Sequence, residues 1–214
     1  YQKAISYYEK VIEIDSKYPN TICNLGMVFQ ALGENQKAID YYKKAIELNT
    51  NDTKAHYGLG ILILELKELQ KAKDCFEKVI KIDSNFVKAH HNLGVIFNML
   101  SEHQKAINCY EKAIKIVPDF VESHNNLGII FKSQKEYQKA INYFEKAIEI
   151  NPNYTNALNN LGITFYELEE NQKAKSYFEK AIKINPKYAS AHNNLGIIHN
   201  KLGDSKNAIS LHKK

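Results

Sequence analysis

One spacing governs this chain. Leu-Gly pairs stand at Leu25-Gly26, Leu59-Gly60, Leu93-Gly94, Leu127-Gly128, Leu161-Gly162 and Leu195-Gly196, each 34 residues after the last. A second ladder keeps the same step through Ala4, Ala38, Ala72, Ala106, Ala140, Ala174 and Ala208. A third is aromatic, with Tyr8, Tyr42, Phe76, Tyr110, Phe144 and Phe178, and ends on His212. Three registers at one period, without an insertion, mark a repeat architecture rather than a single closed core.

Each unit reads as two helices. In the unit from Val121 to Tyr154, His124, Leu127, Gly128 and Phe131 fall at i, i+3, i+4 and i+7. Ala140, Phe144, Ala147 and Ile148 fall at i, i+4, i+7 and i+8. Both sets form one face of a helix with 3.6 residues per turn. Lys135 and Glu136 are expected in the turn between them. Asn151-Pro152 stops the second helix, because proline cannot continue it and disfavours helical geometry in the residue before. Pro118 and Pro186 do the same in flanking units, while Ser16, Thr50 and Ser84 stand in earlier ones. A glycine inside a helix costs about 1 kcal/mol against alanine, so six in register need a packing reason. One helix pair cannot bury its apolar face alone, so the units must stack into a solenoid.

These ladders resemble the tetratricopeptide repeat (TPR) family over the whole chain. The resemblance implies an all-α, right-handed superhelical solenoid of antiparallel pairs, about thirteen to fourteen helices with no strand. It divides residues 1–214 as a single array: a half repeat at 1–18, full repeats at 19–52, 53–86, 87–120, 121–154 and 155–188, and a truncated repeat at 189–214. The family often has Trp three residues before the Leu. This chain has Ile22, His56, His90, His124, Leu158 and His192 there.

The resemblance also implies a concave groove lined by the first helix of each pair. One position before each Leu-Gly stand Asn24, Gly58, Asn92, Asn126, Asn160 and Asn194. The preceding position holds Cys23, Tyr57, His91, Asn125, Asn159 and Asn193. Neither register belongs to the apolar stripe, so both are expected to face solvent or a ligand. Asparagine is a poor helix former, but its amide offers a donor and an acceptor together, which suits a peptide group. Helices about 10 Å apart against a peptide rising about 3.3 Å per residue give roughly one Asn per three peptide residues. The expected peptide-binding residues are therefore Asn24, His91, Asn92, Asn125, Asn126, Asn159, Asn160, Asn193 and Asn194, holding a protein or peptide in extended conformation. The ladder is similar to the TPR arm of O-linked N-acetylglucosamine transferases, with Gly58 interrupting it. That similarity implies, as an alternative, a substrate-recruiting arm whose catalytic domain lies outside this chain. The carboxylate clamp of chaperone co-receptors is a poor match. Lys54 and Lys88 occupy one clamp place, but Ile61, Val95, Ile129, Ile163 and Ile197 stand where its Asn would fall.

Composition narrows the partners. The net charge of +5 comes with no arginine among the 29 basic residues, and the lysines alternate with acids, as in Lys43–Glu47. A solvated helix face explains that pattern better than nucleic-acid binding. No run of eighteen apolar residues suggests a membrane span. Cys23, Cys75 and Cys109 are too few and too odd for a disulfide framework and read as reduced thiols in a cytoplasmic or nuclear setting. The sequence lacks nucleotide-binding glycine motifs, C-x-x-C and H-E-x-x-H, so neither enzyme activity nor a cofactor is expected. His90 and His124 read as packed wedge histidines; His192, His199 and His212, at the three places of the aromatic cluster within one unit, are the one set that approaches a zinc site, though no metal is expected. The half-unit at 1–18 and the truncated unit at 189–214 lack polar capping helices, which points to end-to-end self-association or fraying.

Overall fold

The computed structural model describes residues 1–15, 17–201 and 203. These residues form twelve α-helices, with no strand among them. A lone helix, α1 (Gln2–Ile14), comes first. The first helices of the pairs are α2 (Pro19–Ala31), α4 (Thr53–Glu65), α6 (Val87–Met99), α8 (Val121–Ser133), α10 (Thr155–Glu167) and α12 (Ala189–Lys201). The second helices are α3 (Asn35–Leu48), α5 (Leu69–Ile82), α7 (His103–Ile116), α9 (Tyr137–Ile150) and α11 (Asn171–Ile184). The second helix expected for the truncated repeat lies outside the described residues.

The chain forms two compact units, Tyr1–Glu102 and His103–Lys214. In the first, α2 packs on α3 and α4 on α5, while α3 meets α4 and α5 meets α6. In the second, α8 packs on α9 and α10 on α11, while α9 meets α10 and α11 meets α12. First helices also touch one another, α2 against α4 in one unit, and α8 and α12 against α10 in the other.

The three ladders explain this packing. Tyr42, Phe76, Tyr110, Phe144 and Phe178 are almost wholly buried, and the alanines between them at 38, 72, 106, 140 and 174 are fully so. The glycine ladder seats the aromatic ring of the second helix. A Cβ at Gly128 would stand 2.5 Å from Phe144 Cε1, and one at Gly162 would stand 2.6 Å from Phe178 Cε1. Glycine is there because a methyl group would occupy the place of the ring, which offsets its poor helix propensity.

Both turn types are set by local chemistry. Between first and second helix one residue is left-handed: Gly33, Lys67, Ser101, Lys135, Glu169 and Gly203, with φ from 60° to 78°. The next amide reaches back five residues, as Glu136 N donates to Phe131 O at 2.9 Å and Glu170 N to Phe165 O at 2.9 Å. That is a Schellman cap. At the end of the second helix, Asn49, Asp83, Asn151 and Asn185 turn extended, with ψ from 92° to 98°. Their side chains accept from the amide two residues on, for example Asn153 N to Asn151 Oδ1 at 3.0 Å. Proline at 152 and 186 enforces the extended residue before it.

Candidate peptide-binding face

The first helices place the asparagine ladder on one side of each pair. Its two registers do not behave alike. Asn92, Asn126, Asn160, Asn194 and Asn24 are half-buried, and so is His91. Asn193, on the last described first helix, is exposed. Asn125 and Asn159 are only 4% and 5% exposed, and Cys23 is 2% exposed. The expectation that both registers face outward is therefore corrected at these three positions. In the register two before Leu, Tyr57 and His91 stay half-buried, so full burial is confined to particular repeats, and in the register one before Leu the buried member is Gly58.

That burial is matched by a bond pattern that crosses between repeats. Asn160 Nδ2 donates to Asn125 Oδ1 at 2.9 Å, and Asn194 Nδ2 donates to Asn159 Oδ1 at 2.9 Å. In the first unit Asn92 Nδ2 donates to Tyr57 Oη at 3.2 Å by the same relation. Asn126 Nδ2 donates to Tyr110 Oη at 3.3 Å and its Oδ1 accepts from Asn125 Nδ2 at 3.3 Å. The outer amide of one repeat thus ties down the buried residue of the repeat before it. Lys132 Nζ and Glu167 Oε1, 3.0 Å apart, join α8 to α10 in the same sense.

The amides are held, not exhausted. Each primary amide has two N–H donors and a carbonyl oxygen. Asn160 and Asn194 each use one N–H in the inter-repeat bond, which fixes the orientation of what remains. Beside Asn194 lies a cavity of about 230 Å³ lined by Ile163, Tyr166, Glu167, Phe178, Asn194 and Ile197. The ladder is interrupted at Gly58 for a packing reason. The ring of Tyr42 lies where a Cβ at 58 would be, with its hydroxyl donating to Gln30 Oε1 at 2.7 Å.

Burial sets the ionisation of the phenols in this layer. Desolvation pushes Tyr110 well above the ordinary phenol value, with the Asn126 bond opposing it. Tyr57 is raised for the same first reason, with Asn92 opposing. Both stay neutral donors or acceptors at physiological pH. Tyr57 was visible in the register before Asn92's equivalent, yet its part in the ladder was not. The signal available was a spacing of 35 residues, which links Asn92 to Tyr57, Asn160 to Asn125 and Asn194 to Asn159.

The histidines at the family's Trp place do a different job. His56 Nε2 lies 3.1 Å from Thr50 O, His90 Nε2 3.0 Å from Ser84 O, His124 Nε2 2.8 Å from Pro118 O, and His192 Nε2 2.9 Å from Pro186 O. A carbonyl oxygen only accepts, so Nε2 carries the proton and donates. Each imidazole latches its first helix to the loop that ends the preceding repeat. His192 of the possible zinc set is committed to such a latch, and His212 lies outside the described residues. Among the described residues no group of three potential ligands is arranged to hold a metal ion, and no helix is long and apolar enough to cross a membrane.

Antiparallel helix pairs in register, with amides aligned across their first helices, define a helical-repeat interaction protein. Tetratricopeptide repeat family models match residues 1–18, 19–52, 53–86, 87–120, 121–154 and 155–188, and a further one matches 177–210. The chain belongs to the tetratricopeptide repeat family. No curated protein matches the sequence. Among solved structures, MamA is 31% identical over 68% of this chain and 85% of its own, with a TM-score of 0.63. YrrB, a TPR protein with an unusual peptide-binding site, is 24% identical over 86% of this chain and 95% of its own, with a TM-score of 0.68. PilF of Pseudomonas aeruginosa is 20% identical over 90% and 88%, with a TM-score of 0.80. The last two likenesses establish the fold alone.

Proposed function

We propose that this TPR interaction scaffold binds the main chain of an extended polypeptide along its first-helix face, with Asn126, Asn160 and Asn194 of the second unit as the principal contacts. The observation that carries the reading is the pair of bonds Asn160 to Asn125 and Asn194 to Asn159, which orient outer amides before any ligand arrives. An amide fixed in this way loses little rotamer entropy on binding, and preorganisation of this kind favours affinity. Its second N–H and its carbonyl oxygen match a peptide group. The apolar cavity beside Asn194 offers a place for one side chain between amide contacts. Asn125, Asn159 and Asn193 act around this row. Asn125 and Asn159 do so as anchors and Asn193 as a flanking polar contact, while Asn24, His91 and Asn92 present the same kind of polar groups on the first helices of the first unit.

The test uses an array of extended peptides to select a binder, which is then titrated by fluorescence anisotropy. Each amide contributes about 0.5–1.5 kcal/mol net. The threefold Asn126, Asn160 and Asn194→Ala variant is therefore expected to bind at least about tenfold more weakly while circular dichroism shows its helices intact. N-methylation of the peptide backbone should weaken binding more than exchange of its side chains. Equal binding by the folded threefold variant would remove the ladder from the site.

A further inference from the structure

The opposite side of the second unit holds a groove that the peptide reading does not use. It lies between the second helices α9 and α11, has a volume of about 680 Å³, and is floored by Leu158, Ile148, Tyr177 and Ile184. The same place one repeat earlier is lined by Glu111, His124, Tyr143 and Lys146, and measures about 420 Å³. Glu145, Leu158, Tyr177 and Lys180 are their equivalents, 34 residues on. The decisive difference is at the base. His124 bridges to Pro118 O at 2.8 Å, whereas Leu158 cannot donate to the carbonyl of Pro152, which lines the larger groove. Leucine thus removes the latch carried at 56, 90, 124 and 192 and leaves an apolar floor.

The walls differ in charge. Glu145 and Glu149 stand along α9, with Glu149 3.0 Å from Lys146, while Lys180 and Lys183 stand along α11. Lys180 Nζ also caps the ring of Tyr177 at 4.8 Å from its centroid. The lining runs over residues 145–152 and 177–184, about two helical turns or roughly 11 Å at 1.5 Å per residue. Both walls are helices whose backbone groups are already paired along their length. An extended segment lying here would find no main-chain partners, whereas a helix brings its own. We propose that this outer groove docks an amphipathic α-helix of a partner protein. Its apolar residues at i, i+3 or i+4 and i+7 sit over Leu158, Ile148, Tyr177 and Ile184. Its basic flank faces Glu145 and Glu149, and its acidic flank faces Lys180 and Lys183. This is helix-in-groove recognition on the face away from the asparagine ladder, and it stands independently of the peptide reading.

The probe is a hydrocarbon-stapled helical peptide with Leu at i, i+4 and i+7, Glu on one flank and Lys on the other. Two companions carry Glu only or Lys only on both flanks. Titrations use the full 1–214 chain. The split-flank peptide is expected to bind best, and Leu158→His to weaken it at least about tenfold. That substitution places at 158 the residue present at the equivalent place in four other repeats, and circular dichroism with a urea midpoint checks that the variant is folded. A Lys180→Glu, Lys183→Glu double variant should shift the preference to the all-Lys peptide. Equal binding to wild type and Leu158→His, no preference among the three peptides, or no binding at millimolar concentration would each overturn the proposal. So would a self-associated wild type that Leu158→His renders monomeric, because the occupant would then be a second copy.

Discussion

Cys23 shows how far the environment of a residue can depart from its register. By spacing it belongs to the row that also holds Asn125 and Asn159, and like them it is buried. Desolvation, with a smaller contribution from Asp52, pushes its thiol up to about 12, against a lowering by Lys54. A thiol raised in the folded state binds its proton more tightly there than in the unfolded chain. Below the unfolded value near 9 both states are protonated, and stability does not depend on this group. As pH rises above 9 the unfolded chain loses the proton first, and stability falls by about 1.4 kcal/mol per unit until the folded value is reached. Urea midpoints of wild type and Cys23→Ala between pH 8 and 11 check this. The advantage of wild type over the variant should shrink above pH 9, whereas a gap that stays constant would place the thiol in contact with solvent. Tyr42, raised chiefly by burial and further by Cys23, adds to the alkaline loss in both proteins and more in wild type, in the same direction as the predicted shrinkage. The identity of the residue was legible in the sequence, but its burial was not. An apolar stripe identifies what must be covered and is silent on what a neighbouring repeat happens to cover.

At the level of elements, the positions of helices and stops were legible because their causes are local. Proline at 152 and the 3.6 periodicity each act within a few residues, and Gly128 and Gly162 under the aromatic rings act within one helix pair. The turn between paired helices is also local, yet glycine marks it only at Gly33 and Gly203. Lys67, Ser101, Lys135 and Glu169 take the same left-handed geometry with a Cβ, which costs about 1–2 kcal/mol for a non-glycine residue. Lys135 and Glu169 are exposed, so their side chains contribute little packing to offset that cost. Lys135→Gly and Glu169→Gly are therefore expected to stabilise the second unit. The gain is about 0.5–1 kcal/mol each, because glycine also loses more backbone entropy on folding. Chemical denaturation of each variant checks it, and a loss of stability would show that the side chains do more at these turns than the backbone strain costs. The histidine latches were less legible. The 34-residue spacing shows that His56, His90, His124 and His192 are equivalent. Which carbonyl each one reaches depends on how one pair seats on the loop before it.

Over the whole chain, stability in a repeat array is close to a sum of terms within repeats and between neighbours. The ladders within repeats were therefore readable from the sequence alone. The candidate site was only half readable. Its row of asparagines followed from register, but the bonds between rows run from one register to another across 35 residues, and only packing could show them. Those bonds make a prediction about coupling that is separate from ligand binding. In the Asn160–Asn125 bond the donor is half-buried and the acceptor is 4% exposed. Asn160→Ala leaves Asn125 Oδ1 buried without that donor, at an expected cost of about 1–3 kcal/mol. Asn125→Ala removes the buried acceptor and leaves the outer amide within reach of water, so its cost should be smaller by about 1 kcal/mol. The double variant loses both partners together and should be less destabilised than the two single costs combined, the signature of direct contact. Denaturation of the four proteins in this cycle measures the coupling. The same asymmetry is expected at Asn194 and Asn159, whose bond has equal length and whose acceptor is equally buried. Additive costs at both pairs would mean that the amides do not tie one repeat to the next. Coupling at both would mean that the row proposed to hold a peptide also holds the stack together. A bound main chain would then strengthen the interfaces between repeats as well as occupy them, and the denaturation midpoint should rise with peptide concentration.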